Sequence, residues 1–109
     1  MHEALFDDEF LKDTGVTTLD LAKALIDEGF HPPTVYFPLV VHGAMLIEPT
    51  ETESKGTLDE FVRVMRALAR RAKSGDIASF KQAPVLAPRR RLDETGAARK
   101  PVLRWKENR

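Results

Sequence analysis

The stretch GFHPPTVYFPLVVHGAMLIEPTETES, residues 29–54, decides the fold because it sets two short apolar runs between stiff proline turns. Thr34 to Phe37 and Gly43 to Glu48 are rich in β-branched and other apolar residues, which favour strands. Prolines bracket the runs at positions 33, 38 and 49. We therefore predict two neighbouring strands, and the apolar residues 39–41 suggest that the first continues past Pro38.

Two helices are predicted on either side of this stretch. In the first, apolar residues recur at helical spacing at Leu19, Ala22, Leu25 and Ile26. Thr17 precedes them as a cap, Asp20 suits the positive helix start, and Gly29 suits a left-handed exit. In the second, one apolar stripe comprises Leu58, Phe61, Val62, Met65, Leu68, Ala69 and Ala72. Thr57 with Glu60 has the spacing of a capping box, Arg70, Arg71 and Lys73 suit the negative helix end, and Gly75 closes the helix.

The order of elements predicts an α+β fold. Residues 3–7 and 101–105 are further strand candidates, so the expected order is β-α-β-β-α-β, with helices on one face of a small antiparallel sheet. The second central strand is apolar on both faces, at Ala44, Met45, Leu46 and Ile47. A sheet face that met water would alternate apolar with polar residues. We therefore expect that something further covers the second face.

Composition excludes several classes of protein. The chain has 109 residues, 42% of them hydrophobic, 31% charged and none cysteine, which describes one globular domain without disulfides or thiolate sites. No apolar run is long enough to span a membrane and no signal sequence is recognisable, so we expect a cytoplasmic protein without a membrane partner. The acids at positions 48, 51 and 53 lack the spacing of a calcium loop, and no metal site is expected.

Charge is distributed unevenly along the chain. Residues 1–75 carry 8 basic and 13 acidic side chains, whereas residues 76–109 carry 9 basic and 4 acidic ones. We predict a compact unit over residues 1–75 and a basic, partly extended tail over residues 76–109, with much of residues 76–97 either extended over the surface or mobile. The arginines at 89–91 lack the aromatic neighbours of a nucleic-acid site, so no nucleic-acid partner is expected.

The central stretch, together with TGVTTLDLAKALIDEGF (residues 14–30) and ARKPVLRW (residues 98–105), resembles the C-terminal domain of the glycine cleavage system P-protein. That family is a pyridoxal-phosphate glycine decarboxylase. The resemblance implies an enzyme that releases carbon dioxide from glycine and passes the aminomethyl group to the lipoyl arm of H-protein. PVLRW is similar to the end of the second subunit in bacteria with a split enzyme, which implies the other P-protein subunit as a partner.

The resemblance also implies what this chain lacks. In such enzymes a large domain holds the cofactor, and none of the seven lysines here stands in a context like that of the cofactor-linking lysine. The glycines form no phosphate cradle, so we expect no cofactor on this chain and no activity from it alone. No arginine lies within residues 34–48 to bind a substrate carboxylate. Val85 replaces the histidine of a usual Ala-Pro-His, so no histidine role carries over there.

The family implies His31, Glu48, Thr50 and Glu51 as substrate-pocket candidates. His31 precedes two prolines, which hold its backbone extended, so its imidazole either contacts substrate or bonds the loop or a subunit surface. The acidic and hydroxyl residues at 48–54 either orient an amine or start the second helix, with Thr52 or Ser54 as an earlier cap. His42 is expected in a turn.

A different class of function has the same predicted order of elements. Ferredoxin-like regulatory modules also run β-α-β-β-α-β, and such a module would bind a small amino acid by itself. It would present a complete sheet and form a discrete dimer, whereas part of a larger enzyme would leave an apolar surface exposed.

Overall fold

The computed structural model describes residues 2–107. Within these residues, three strands, a short 3₁₀ turn and four helices follow one another. They are β1 (Ala4–Phe6), the 3₁₀ turn (Glu9–Leu11), α1 (Thr18–Asp27), β2 (Thr34–Val35), β3 (Met45–Ile47), α2 (Lys55–Lys73), α3 (Ile77–Gln82) and α4 (Glu94–Arg99).

The three strands form one antiparallel sheet with the order β1-β3-β2. Leu46 at the centre pairs with Leu5 on one side and Thr34 on the other. Met45 is buried in the core, while Leu46, which alternates to the opposite face, is half-buried. The predicted α+β class is confirmed, as are strands within residues 3–7, 34–37 and 43–48.

Helix α1 begins and ends as its sequence predicts. The Thr17 hydroxyl accepts a hydrogen bond from the Asp20 amide at 3.1 Å, and the Asp20 carboxylate accepts one from the Thr17 amide at 3.0 Å. This reciprocal capping box satisfies two of the free amides of the first turn. Gly29 has a φ of +86° just past the helix end, a conformation that glycine adopts without strain. Leu21 and Leu25 point into the core with no exposed area.

Helix α2 begins one turn earlier than the Thr57 capping box predicts, so that prediction is wrong. The Ser54 hydroxyl accepts a hydrogen bond from the Thr57 amide at 3.1 Å and caps the helix. Ser54 was one of the two earlier caps that the sequence offered as an alternative. The Glu60 carboxylate binds Arg63 instead of reaching back to a cap. Basic residues fill the last turn, and Gly75 follows with a φ of +93°.

Burial along α2 follows only part of the predicted stripe. Leu68 and Ala72 are buried, together with Val64, which the stripe omitted. Val62 is 54% exposed and Leu58 is 37% exposed, because they lie toward the edge of the face that packs on the core. The buried cluster consists of Leu11, Val16, Leu21, Ala24, Leu25, Met45, Val64, Leu68, Ala72, Phe80 and Ala83.

Two predicted strand segments do not form. Residues 39–41 lie in a turn, since Tyr36 takes a φ of +58° and the Val41 amide bonds the Pro38 carbonyl at 3.2 Å, which reverses the chain. Residues 101–105 form neither helix nor strand: Val102, Leu103 and Trp105 are all more than 80% exposed and gain nothing from packing against the sheet. The described residues therefore give a three-stranded sheet without the expected final strand.

The segment after residue 75 is partly helical, which corrects the expectation that residues 76–97 lie extended. Asp76 caps α3 through the Ser79 amide, and Asp93 caps α4 through the Gly96 amide. Phe80 of α3 has no exposed area and belongs to the main core. Its ring also lies 4.7 Å from the Arg71 guanidinium. The division of the chain at residue 75 stays a prediction, but α3 packs with the elements before it.

None of the helices within residues 2–107 combines the length and the apolar character that are needed to cross a lipid bilayer.

Candidate functional site

A cleft of about 520 Å³ opens where β3 ends and α2 begins. The turn after α1 forms one side and the turn after β3 forms the other. The cleft is lined by Gly29, Phe30, His31, Pro32, Pro33, Thr34, Leu46, Ile47, Glu48, Pro49, Thr50, Glu53, Thr57, Leu58 and Phe61. Two of the proline turns that the sequence singled out, at residues 32–33 and at Pro49, therefore meet at this one place.

Three of the four predicted pocket residues lie together in this cleft. His31 comes from the turn after α1, and Glu48 and Thr50 come from the turn after β3. All three are exposed, so each side chain can meet a ligand or a covering surface. Glu51 lies in the same turn and is exposed, but it is not among the lining residues. Which of them contact substrate stays a prediction.

The charge of the cleft is negative. Glu48 and Glu53 are the ionisable acids in its lining, and no lysine or arginine accompanies them there. Such a lining attracts a cation or an ammonium group and repels phosphate or carboxylate. His31 also lines the cleft, and its two ring nitrogens are able to form hydrogen bonds with a ligand.

The turn from Pro49 to Ser54 is ordered by its own hydroxyls. Thr50 and Thr52 share a hydrogen bond of 2.7 Å between their Oγ1 atoms, and the Glu53 amide bonds the Thr50 carbonyl at 3.1 Å. Ser54 then caps α2, so the structural interpretation of this segment is confirmed for Ser54 and wrong for Thr52 as the cap. The acids remain free to face a ligand.

Two aromatic rings form the apolar wall of the cleft. The centroids of Phe30 and Phe61 are 5.3 Å apart and the rings meet edge to face at 77°. Sequence reasoning placed Phe61 on the apolar stripe of α2 and did not pair it with Phe30. The signal was the position of Phe30 directly after the helix-ending Gly29, where the chain turns back across α2.

A second polar cluster was not anticipated. The Asp20 side chain is 2% exposed and lies between Lys81 and Arg91, with 2.8 Å from its Oδ1 to Arg91 Nη1. Burial by itself would raise the pKa of Asp20, but hydrogen bonds from Lys81, Thr17 and Arg91 outweigh it and lower that pKa to about 2. The cluster lies outside the cleft lining and holds the start of α1 to the segment after α3.

His42 lies in the turn between β2 and β3, which confirms that prediction. Its Nδ1 is 2.8 Å from Asp8 Oδ1, and the hydrogen bond to Asp8 raises the pKa of His42.

Within the part of the chain that the structure describes, no three histidine or acidic side chains converge in a way that would hold a metal ion.

Comparison with known proteins identifies the same family as the sequence. The family described as "Glycine dehydrogenase, C-terminal domain" matches residues 1–87. The "Probable glycine dehydrogenase (decarboxylating) subunit 2" of Caulobacter vibrioides is 74% identical over 106 residues, which are 97% of this chain and 20% of that protein. Proteins of the same description from Fervidobacterium nodosum and Caldanaerobacter subterraneus are 55% and 53% identical over 98% and 96% of this chain.

The chain thus spans about a fifth of the length of the relatives it matches. A match over most of the chain at such identity leaves no other assignment, and the three-stranded sheet with its flanking helices agrees with the α+β fold expected from the resemblance. The chain belongs to the glycine dehydrogenase C-terminal domain family.

Proposed function

We propose that this chain acts as the C-terminal domain of subunit 2 of a decarboxylating glycine dehydrogenase. The observation that carries the proposal is the 74% identity to the Caulobacter protein across 97% of this chain. Because the match spans only 20% of that protein, the proposed activity belongs to the assembled enzyme, and the chain alone is inactive.

The cleft contributes one wall of the glycine site in this proposal. Glu48 and Glu53 supply negative charge that attracts the ammonium group of glycine and directs its carboxylate away from this wall, and His31 stands beside them. The edge-to-face pair of Phe30 and Phe61 keeps the inner wall apolar, which limits water once a second surface closes over the cleft. Thr50 orders the turn through its hydrogen bond with Thr52. Glu51 supplies a further polar contact.

Pyridoxal phosphate does not fit this cleft. Its phosphate would face two carboxylates without a lysine or arginine in the lining, so the charge of the site opposes it. We propose that the rest of the enzyme holds the cofactor and that this domain never binds it alone. We also propose lipoylated H-protein and the other P-protein subunit as partners. We propose the cytoplasm as the location of the assembled enzyme.

A chimera tests the proposal. The chain would replace the matching C-terminal residues of the Caulobacter relative, and glycine-dependent release of carbon dioxide would be measured with lipoylated H-protein. We expect activity in the chimera and none in the isolated chain. A chimera that folds and binds pyridoxal phosphate yet leaves glycine intact would contradict the proposal.

Substitutions in the chimera test the cleft. Replacing a general acid or base costs about 10²–10⁴ in rate, and losing a positioning contact costs less. We expect His31→Ala and Glu48→Gln to lower kcat/KM by at least about tenfold. Glu51→Gln is expected to have a smaller effect, since this side chain is outside the lining. Asp59→Asn, on the exposed face of α2, is the matched control.

The isolated chain provides an independent test. We expect no stoichiometric, site-specific reducible adduct after incubation with pyridoxal phosphate, glycine and borohydride, and no heat of glycine binding by calorimetry. A stoichiometric adduct at one lysine would contradict the assignment of the cofactor to the missing part. Saturable glycine binding without cofactor would instead favour the ferredoxin-like module, for which the described residues lack the fourth strand.

A further inference from the structure

The turn between β2 and β3 carries an exposed apolar tip, defined here as Phe37, Leu39 and Val40. These side chains are 59%, 85% and 92% exposed. Scattered surface hydrophobics are ordinary, but three large ones within four residues of one turn form a contiguous patch of the kind that marks an interaction site. Within residues 2–107 most of this apolar surface stays uncovered, so its burial awaits another surface.

The base of this turn is held rigidly. The Tyr36 amide bonds the Ala44 carbonyl at 2.8 Å, and the Tyr36 hydroxyl accepts from the Leu19 amide at 3.1 Å. The Thr18 hydroxyl donates to the Gly43 carbonyl at 2.7 Å. The start of α1 therefore anchors both sides of the turn, while the side chains of the tip stay exposed to solvent.

A rigid base with a free apolar tip is the arrangement of a preorganised contact. Docking such a turn costs little conformational entropy, because the backbone is already fixed. Aromatic and aliphatic anchors that enter a pocket supply most of the binding energy at typical interfaces. The tip is thus built to insert into a complementary apolar surface.

The tip and the cleft lie at opposite ends of the sheet. β3 begins on the side of the tip at Met45 and ends at the cleft at Ile47, just before Glu48, and the antiparallel β2 runs the other way. A surface that covers the cleft need not cover the tip. The tip accordingly adds a contact distinct from the closure of the glycine site.

We infer that the apolar tip docks on the remaining four-fifths of the subunit. The inference rests on the proposed function, and the length of chain outside this structure argues for this occupant: the relatives are about five times as long as the segment that they share with this chain. The missing part is covalently linked to the domain in those relatives, so its effective concentration at the tip is high. Neither a second copy of this chain nor a membrane has that advantage.

Single cysteines test the docking, because the chain has no native cysteine. Val40→Cys at the tip and Lys73→Cys on the exposed end of α2 would be labelled with a maleimide, in the free chain and in the Caulobacter chimera. Peptide mass spectrometry would follow each site. We expect the chimera to slow labelling at position 40 at least tenfold more than at position 73. An equal change at the two positions, including no change, would overturn the inference.

Hydrogen exchange at residues 39 and 40 of the unsubstituted chains provides a readout that requires no variant. We expect these amides to exchange slowly in the chimera and fast in the free chain. Leu39→Asp should leave the thermal midpoint of the free chain unchanged and lower that of the chimera, while Leu39→Met should affect neither. Slow exchange at the tip in a chimera that cannot decarboxylate glycine would refute the proposed function and keep the docking surface. An active chimera with an unprotected tip would refute only the docking.

Discussion

The Asp20 carboxylate accepts a hydrogen bond from the Arg91 guanidinium, with 2.8 Å between Oδ1 and Nη1. The same guanidinium donates to the carbonyls of Ala83 and Phe80 at 2.8 Å and 2.7 Å. One arginine in the basic segment therefore fixes the turn after α3 against the first turn of α1. The opposite charges of the two parts of the chain meet here in a specific contact.

Asp20→Asn should destabilise the fold by about 3 kcal/mol. Removing one partner of a buried ion pair costs roughly 3–5 kcal/mol, and the partial exposure of Lys81 and Arg91 keeps this case at the lower end. Urea denaturation followed by circular dichroism measures the loss. Asp59→Asn removes the exposed pair with Lys55 and should cost no more than about 0.5 kcal/mol. Equal effects of the two substitutions would contradict the special role of Asp20.

Acid should remove the contribution of Asp20. Its pKa is lowered in the folded protein from 3.8 to about 2, so its stabilisation is complete above pH 3.8 and is lost as the pH falls through 2. The difference in unfolding free energy between the natural chain and Asp20→Asn should shrink by about 2 kcal/mol between pH 5 and pH 2. Glu60 and Asp76, whose pKa values are also lowered, titrate in both proteins, so their contributions cancel in this difference. Parallel pH profiles would refute this assignment.

His42 should titrate above the ordinary value of 6.5, because the hydrogen bond to Asp8 favours its imidazolium. Since the folded pKa is raised, any stabilisation by this pair is present below pH 6.5 and is lost as the pH rises through the folded pKa. A proton NMR titration of the imidazole should show this pKa falling in Asp8→Asn. Asp7→Asn, whose carboxylate instead accepts from the Glu9 amide, should leave the His42 pKa in place.

Gly43→Ala should be among the more damaging single-methyl additions to this chain. Gly43 has a φ of +58°, and an added Cβ would lie 2.3 Å from the Asp8 carboxyl carbon. Backbone strain and overpacking together should cost about 2–4 kcal/mol. Gly29→Ala, with a φ of +86° and open space around the new methyl, should cost only about 1 kcal/mol. A thermal midpoint that is no lower for Gly43→Ala than for Gly29→Ala would contradict the close approach.

Phe80→Ala tests whether α3 belongs to the core. Phe80 has no exposed area and stacks under Arg71, so its truncation should cost about 3–5 kcal/mol. Ile77→Ala, on the same short helix but with a side chain 38% exposed, should cost considerably less. If Phe80→Ala unfolds at the same urea concentration as the unsubstituted chain, α3 contributes little to the folded state.

Local patterns predicted much of this fold. The cap of α1 at Thr17, the acidic residue in its first turn and the glycine exits at 29 and 75 all follow from short-range spacing. The same logic missed the start of α2, because Ser54 and Thr57 are both good caps and only the path of the chain after Pro49 selects Ser54. It also missed α3, whose six residues are too short to show a helical period.

The candidate site was predicted in its components but not in its arrangement. His31 and Glu48 stand out by their proline neighbours, and their meeting in one cleft depends on how β2 and β3 pair. The exclusion of Glu51 from the lining is likewise a matter of side-chain direction within a turn, which spacing does not encode.

The amino-acid sequence by itself determined the family, the α+β class, both ends of α1 and the end of α2, because capping, periodicity and proline placement act over a few residues. The tertiary structure alone decided that Lys81 and Arg91 close over Asp20 and that residues 37, 39 and 40 remain uncovered. Those outcomes depend on contacts between residues distant in the chain, where burial and long-range charge pairing determine which side chains meet.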